Sequence, residues 1–325
     1  MLYYFARRIA YSIPILFGVN LLIFVLFFFV NSPDQMARFQ LGQRRITQEA
    51  IENWKRVHGY DLPVVYNSSA SGIEKLTKTI FFEKSLRLFA FNFGAADDGS
   101  DISAEISTRM WPSLAIALPT FILGLVVEIS LALFVIIFLH SLTDKLSVSL
   151  CVMLMSISGL FYIIGGQYLF GQVLRLVPIS GYLPGTSALK FVLLPILIGV
   201  FSGLGMGVRW YRSIFLEEIN KDYVRTARAK GLSHLRVLFG HVLKNGLIPI
   251  LTGVVVVIPS LFMGSLIMES FFGIPGLGGY TIDAIRAQDF SIVRSMVFLG
   301  SVLYIVGLML TDLSYALVDP RVRLA

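Results

Sequence analysis

Residues 222–249, DYVRTARAKGLSHLRVLFGHVLKNGLIP, decide the fold, because they form a basic segment of helical pattern between two hydrophobic spans. Asp222 is predicted to cap a short helix through Ala229, and Gly231 supplies the left-handed residue that commonly ends a helix. Ser233 is predicted to cap a second helix that leads into the next span. A membrane protein that keeps a structured, positively charged loop on one face usually docks a partner there.

The composition is that of a membrane protein. Apolar residues make up 56% of the 325 positions and the mean hydropathy is +0.77, above the ordinary values for a soluble domain. A helix needs about 20 residues to cross the bilayer core. The predicted fold class is therefore an all-α polytopic membrane protein with six transmembrane helices. They run approximately over 9–30, 112–139, 148–173, 191–210, 247–268 and 292–318.

The distribution of Lys and Arg predicts the orientation in the bilayer. The side that holds the N-terminus carries 13 of these residues, and 8 of them lie between positions 209 and 244. Positive charge marks the cytoplasmic side, so both termini are predicted to be cytoplasmic. The loop 31–111 holds 10 basic and 10 acidic residues and is neutral. Topology therefore explains the net charge of +7, and nucleic acid is not an expected partner.

The predicted organisation has three parts. Residues 1–30 form an N-terminal segment and the first transmembrane helix, and residues 31–111 form an external cap segment. Residues 112–325 form a transmembrane core, with cytoplasmic helices at about 221–245 between the fourth and fifth spans. The first span is expected to be retained, because its apolar run is longer than that of a signal peptide.

A helix is predicted inside the cap. Thr47 can cap it, its Ala50, Trp54 and Val57 share one face, and it stops near Gly59.

A glycine-rich segment follows the fifth span. Residues 269–290 read ESFFGIPGLGGYTIDAIRAQDF, and no Lys-Ser or Lys-Thr pair follows the glycines as it would in a nucleotide-binding loop. Irregular backbone at membrane depth must be shielded from lipid. The segment is therefore predicted to be a broken or re-entrant stretch that lines a cavity. No Walker A pattern occurs in the sequence, so the chain is not expected to hold ATP by that route.

No catalytic residues and no metal ligands are predicted. The lone Cys151 lies in apolar surroundings, and His234 and His241 are two helical turns apart, too far for a common metal. Glu128 differs, because an ionisable group in the middle of a span costs about 2.5–3.5 kcal/mol on insertion scales. Two interpretations stay open: a solute or proton site on a pathway, and a structural hydrogen bond between helices. Gln167 raises the same question more weakly.

The basic loop allows two interpretations as well. Arg225 and Arg228 lie on one helical face at i and i+3, where they can pair with carboxylates at the rim of a partner. The small Ala227 and Ala229 would let the surface of that partner approach closely. The alternative is a solvated basic helix that obeys the positive-inside rule.

Several segments together resemble the membrane-spanning permease subunits of bacterial ABC importers, in the subgroup that handles dipeptides, oligopeptides and nickel. RTARAKGLSHLRVLFGHVLKNGLIP at 225–249 is similar to the cytoplasmic coupling motif of that subgroup. IPGLGG at 274–279 and DLSYALVDPRVR at 312–323 resemble its C-terminal signature. RRIAYSIPILFGVNLLIFVLF at 7–27 resembles its first span, and HGYDLP at 58–63 resembles an external Gly-x-Asp-x-Pro element.

The resemblance implies partners and a way of coupling to them. The short helix ending at Gly231 would dock in a cleft of a separate ATPase. The implied partners are a homologous second permease subunit, two ATP-binding cassette ATPase subunits and an external solute-binding protein. ATP and Mg would be bound by the ATPase subunits, and no cofactor is expected in this chain. The expected ATPase-coupling residues are Asp222, Tyr223, Arg225, Thr226, Ala227, Arg228, Ala229 and Gly231.

The resemblance also implies a substrate and a location. The chain is expected to form half of the transmembrane pathway for peptides in the bacterial cytoplasmic (inner) membrane, with Glu128 and Gln167 as possible solute-pathway residues. Within the same family, the alternative solute is nickel or another small compound. A different class of protein, a proton-coupled secondary transporter, would use Glu128 as its proton site and would need no ATPase.

Overall fold

The computed structural model describes residues 2–42 and 47–318. Within them the chain is almost entirely helical, and the only extended pairing is an isolated antiparallel bridge between Ala95 and Asp101. The predicted all-α class is confirmed. The C-terminal Asp-Pro-Arg motif, which carried part of the resemblance, lies outside the described residues.

Fifteen α-helices occur in the described residues. In chain order they are α1 (Leu2–Val25), α2 (Pro33–Leu41), α3 (Gln48–His58), α4 (Glu74–Thr77), α5 (Ile80–Lys84), α6 (Ile102–Ile137), α7 (Leu142–Ser156), α8 (Gly159–Gly166), α9 (Ala188–Ile219), α10 (Asp222–Ala229), α11 (His234–Val237), α12 (Leu243–Val257), α13 (Leu266–Phe272), α14 (Leu277–Ala287) and α15 (Phe290–Val318). Turns of π-helix follow α1, α8 and α11, at Leu26–Val30, Gln167–Val173 and Leu238–Val242. A 3-10 segment, Ile258–Met263, follows α12.

Five helical segments of the described residues are long and apolar enough to cross a membrane. They are Arg7–Val30, Ile102–Ile137, Gly185–Ile219, His234–Met263 and Phe290–Ser314. A sixth span exists if the bent pair Leu142–Ser156 and Gly159–Val173 counts as one. The structure therefore agrees with a polytopic membrane protein of five to six spans.

The third predicted span, 148–173, is not one straight helix, and its two parts are bent by 86°. Ile157 and Ser158 both have extended backbone, with ψ of 128° and 142°. The Tyr162 hydroxyl donates to the Leu154 carbonyl at 2.8 Å and so satisfies one of the acceptors at the broken end. Hydropathy alone predicted a continuous helix here, because both parts are apolar.

Helix α6 begins at Ile102, well before the start predicted at Pro112. The Asp101 carboxylate accepts a hydrogen bond from the Ser103 amide at 2.9 Å and so caps the first turn of the helix. Pro112 lies within the helix, so it marks neither its beginning nor a break.

The described residues form two compact units. The first consists of those within Met1–Arg109 and Tyr280–Val306, and the second of those within Met110–Gly279 and Gly307–Arg323. The buried apolar side chains at the centre of the first unit are Phe24, Phe28, Met36, Tyr60 and Ile80. They come from α1 and the π-helical turn after it, from α2 and α5, and from the loop after α3.

The predicted cap helix is confirmed as α3. The Thr47 hydroxyl accepts from the Ala50 amide at 3.3 Å, and Gly59 ends the helix with a φ of +68°. Ile51 is the buried residue of the helix, at 1% exposed, whereas Val57 is 73% exposed.

A polar cluster joins several segments of the first unit at Asp97. The Asp97 amide donates to Asp289 Oδ2 at 2.7 Å, and the Gln40 amide nitrogen donates to Asp97 Oδ2 at 2.5 Å. His58 Nε2 lies 3.7 Å from Asp97 Oδ1. Burial and the neighbouring Asp289 carboxylate raise the pKa of Asp97 to about 6, although His58 opposes the shift.

The core of the second unit lies among α6, α7, α9, α10 and the segment from α11 to α12. Its buried side chains include Leu133, Ile136, Phe215, Val224, Val237, Val242 and Ile250. Arg212 on α9 donates to Asp144 Oδ1 at the start of α7, at 2.7 and 3.1 Å from its two nitrogens. This partly buried ion pair and the apolar cluster fix the end of α9 from which α10 follows.

Candidate functional site

The predicted short helix in the basic loop is α10, with the predicted bounds Asp222–Ala229. Asp222 is not its cap, because Lys221 precedes the helix with extended backbone and no side chain caps the first turn. Asp222 is instead the first helical residue, where its negative charge interacts favourably with the positive end of the helix dipole. The helix ends as predicted. Gly231 has a φ of +79°, and its amide donates to the Arg228 carbonyl at 2.9 Å.

The inner face of α10 packs into the second unit. Val224 is 0% exposed and Ala227 is 5% exposed, and both belong to the apolar cluster that contains Phe215 and Val237. The prediction that Ala227 contacts a partner's surface is therefore corrected. Ala227 lies one turn from Val224 on the same helical face, so it contacts the protein's own core.

The outer face of α10 is open to solvent. Arg225 has a side chain 75% exposed and forms only a long ion pair with Asp222, at 3.4 Å. The predicted coupling residues that lie on α10 and are exposed are Asp222, Arg225, Thr226, Arg228 and Ala229. We call these five residues the outer face. It combines two arginines with small side chains.

Glu218, which the sequence analysis missed, holds α10 in place. Its side chain is 7% exposed at the end of α9. Lys221 Nζ lies 2.5 Å from Glu218 Oε1, and the Tyr223 hydroxyl donates to Glu218 Oε2. Burial and the Glu218 carboxylate raise the pKa of Tyr223 to about 12, so the phenol stays protonated and donates at neutral pH. The half-buried Tyr223 therefore links α10, which carries the outer face, to Glu218 at the end of α9.

The Glu218 contact has a weak signal in the sequence. The sequence has a carboxylate at position 218, a lysine at 221 and a tyrosine at 223. Such a pattern on a helix end is usually solvated. Only the turn between α9 and α10 brings the three groups together.

Glu128 lies on α6 beside a row of glycines. A Cβ at Gly203 of α9 would lie 3.1 Å from Glu128 Oε1, and one at Gly207 would overlap the carboxylate. A Cβ at Gly124, one turn earlier on α6, would lie 3.8 Å from Glu128 Oε1, which is an ordinary contact. None of the described residues donates a hydrogen bond to this carboxylate or forms an ion pair with it. The side chain is half-buried.

Gln167 has a different environment. Its amide nitrogen donates to the Ile179 carbonyl and to the Phe271 carbonyl, both at 3.0 Å. The side chain therefore joins the π-helical turn after α8 to the loop at 179 and to α13. Both amide hydrogens are used within the protein.

The glycine-rich segment is irregular, as predicted, and a buried carboxylate organises it. Glu269 is 1% exposed, and its two oxygens accept from the Ser265 amide at 3.1 Å and the Gly279 amide at 3.0 Å. Ser113 of α6 accepts from the Leu277 amide at 2.8 Å. The sequence analysis missed both Glu269 and Ser113, because their partners are backbone amides distant in sequence.

A cavity of about 430 Å³ lies in the second unit beside this segment. Its lining side chains come from α6, α9, the 3-10 segment and α13, and they include Ser113, Thr120, Ser202, Ser260, Ser265 and Glu269. The rest of the lining is apolar and includes Ile116, Phe121, Leu261 and Met268, so the cavity is mainly apolar with a few hydroxyls and one carboxylate. Within the described part of the chain, no group of three His, Cys, Asp or Glu side chains lies together as a metal site would require.

Comparisons with known proteins agree with this architecture. The family model described as binding-protein-dependent transport system inner membrane component matches residues 128–324. The chain is 30% identical over 318 residues to the dipeptide transport system permease protein DppB of Lactococcus lactis subsp. cremoris, covering 95% of this chain and 99% of that one. It is 29% identical over 334 residues to the oligopeptide transport system permease protein AppB of Bacillus subtilis, covering 98% and 99%.

A third relative is the dipeptide transport system permease protein DppB of Bacillus subtilis, 28% identical over 286 residues and covering 87% of each chain. The family match extends from Glu128 on α6 through the basic loop and the glycine-rich segment. The resemblance found in the sequence is thereby confirmed: the chain belongs to the family of binding-protein-dependent transport system inner membrane components.

Proposed function

We propose that this chain is one of two homologous permease subunits of an ATP-driven importer that carries peptides. The solute is delivered by an external solute-binding protein, and ATP and Mg are bound by two separate ATPase subunits. The protein lies in the bacterial cytoplasmic membrane with both termini in the cytoplasm. The relatives' names, which specify dipeptide and oligopeptide transport, support peptides as the cargo.

The construction of α10 carries the proposal. Its inner face is buried, Glu218 anchors it through Tyr223, and its exposed arginines have no buried partner among the described residues. A helix held rigidly against the transmembrane core and charged on its free side can transmit a partner's movement to that core. A merely solvated basic helix would not need such an anchor.

The experiment that tests coupling reverses the charge of the outer face. In proteoliposomes that contain the assembled importer, Arg225→Glu with Arg228→Glu is expected to reduce ATPase copurification and the hydrolysis stimulated by loaded binding protein. Lys145→Glu is the control, because Lys145 is exposed on α7 and is not part of α10. Wild-type copurification and hydrolysis in the double variant, at matched protein levels, would overturn the assignment.

The solute pathway is proposed to pass Glu128. The half-buried Glu128 carboxylate lies inside a span and none of the described residues binds it, whereas the Gln167 amide nitrogen already donates to two carbonyls. Gln167 is kept as a candidate, but its two carbonyl contacts favour a structural role.

Two alternatives give different transport results. A nickel importer of the same family would accumulate labelled nickel and not labelled peptide. A proton-coupled transporter using Glu128 would drive uptake from a pH gradient without the ATPase subunits. Peptide uptake that requires ATP hydrolysis supports the proposed function over both.

A further inference from the structure

The three glutamates Glu128, Glu218 and Glu269 differ in their hydrogen-bond partners. Glu218 accepts from the side chains of Lys221 and Tyr223, and Glu269 accepts from two backbone amides. Both are therefore satisfied within the protein. Glu128 accepts from none of the described residues, although it lies inside a membrane-spanning helix. Its hydrogen-bonding capacity is unused in this structure.

No cation of the described chain compensates Glu128. The two arginines of α9, which follow Gly207 in the sequence, contact other groups. Arg209 donates to Met155 Sδ at 3.6 Å, and Arg212 is paired with Asp144 at 2.7 Å. Tyr211 is close enough to interact electrostatically with Glu128, but it carries no positive charge. An anion in a span without a counter-charge is costly, so the site favours a ligand that brings positive charge or a proton.

The glycines determine where this carboxylate lies. A Cβ at Gly203 would lie 3.1 Å from it and one at Gly207 would overlap it, whereas one at Gly124 would make an ordinary contact at 3.8 Å. The absence of side chains at Gly203 and Gly207 therefore lets the carboxylate lie directly against the backbone of α9. A ligand reaches the carboxylate from a side that α9 does not occupy.

We propose that Glu128 is a specificity-determining residue that binds a primary ammonium group of the transported solute, while its carboxylate is held against the backbone of α9 at Gly203 and Gly207. The inference rests on the proposed function, because peptides offer this group at the N-terminus and on lysine side chains. A charge-assisted hydrogen bond from an ammonium to the carboxylate offsets part of the free energy needed to remove both ions from water.

Uptake of matched peptides tests the proposal. The complete importer is reconstituted in proteoliposomes, and ATP-driven uptake is measured at concentrations that saturate its binding protein. One pair is trialanine and N-acetyltrialanine, and the other is Ala-Lys-Ala and its norleucine analogue. The first pair reports a terminal ammonium and the second a side-chain ammonium. Comparing each ratio between variant and wild type cancels the binding protein's own preference.

Glu128→Gln is expected to lower the preference for the ammonium-bearing peptide about tenfold or more in one of the pairs, because hydrogen bonds between charged groups are among the strongest in proteins. Gly207→Ala is expected to do the same by displacing the carboxylate. Glu217→Gln, at a side chain 79% exposed on α9, and Gly165→Ala, where a Cβ meets no atom within 4 Å, are the matched controls.

The outcomes separate this inference from the proposed function. Lack of ATP-driven peptide uptake in the wild type would contradict the proposed function itself. Wild-type uptake with unchanged ratios for Glu128→Gln in both peptide pairs would overturn the ammonium site alone. Where Glu128→Gln does not assemble, the Gly207→Ala ratios decide, and ratios equal to those of Gly165→Ala would overturn it.

Discussion

Substitution of Gly231 tests whether the end of α10 must be left-handed. The φ of Gly231 is +79°, and an added Cβ would meet no heavy atom within 4 Å. The effect of a substitution is therefore conformational, with no steric overlap to confuse it. An L-residue in the left-handed region costs about 1–2 kcal/mol relative to its favoured conformations, and Asn tolerates that region better than other residues.

The magnitude follows from this geometry. A cost of about 1–2 kcal/mol changes a two-state population by a factor of about 5–30. We expect Gly231→Val, which is β-branched, to loosen α10 the most, Gly231→Ala to loosen it less, and Gly231→Asn to loosen it least. The same order is expected for loss of ATPase association, because the outer face is presented only when α10 is seated.

Hydrogen–deuterium exchange across α10 in the importer in nanodiscs measures the loosening, and copurification of the ATPase measures the consequence. Gly240→Val is the matched control, because Gly240 has no positive φ and an added Cβ there is also without contacts. Equal exchange in Gly231→Val and Gly231→Asn would refute the reasoning from backbone conformation. Loosening of α10 in Gly240→Val as large as that in Gly231→Val would refute it too.

Three further predictions concern other parts of the chain. Tyr223→Phe leaves one Glu218 oxygen without its donor and is expected to destabilise the seated α10 by about 1.5–3 kcal/mol, measured by hydrogen exchange across the helix. The raised pKa of Asp97 favours its neutral form in the fold, so the stability it contributes below pH about 4 is lost as pH rises through about 6. Asp97→Asn should flatten that dependence in thermal unfolding between pH about 4 and 6, and an unchanged slope would contradict it. In a cysteine-free background, an impermeant maleimide should label a cysteine at Ser69 but not one at Ser233 in cells with an intact inner membrane. Labelling at Ser233 would reverse the proposed orientation.

Local signals were enough to predict α10. The helix bounds, the positive φ of Gly231 and the cap at Thr47 all depend on side chains and backbone within a few residues of one another. Such features can be inferred from residue type alone. The inward orientation of Ala227 could not, because the charged pattern shows which face is polar but not how far the core extends around the helix.

Contacts distant in sequence could not be predicted. Ser113 meets Leu277, and Glu269 meets Gly279, only after α6, α13 and α14 have been placed. In the sequence, Glu269 is simply the first polar residue after an apolar span. Likewise, hydropathy identified 148–173 as membrane-embedded but carried no information on its bend of 86°, since both parts have the same apolar composition.

Helix α9 connects the two proposed sites. Gly203 and Gly207 face Glu128 on one stretch of it, and Glu218 anchors α10 at its end. At 1.5 Å per residue, Gly207 and Glu218 are about 16 Å apart along one uninterrupted helix. Close-packed helices shift as units because their interfaces do not deform continuously. A movement of the ATPases that displaces α10 therefore also displaces the glycine backbone against which the Glu128 carboxylate lies, which gives the proposed ammonium site a direct physical route to changing its affinity during the transport cycle.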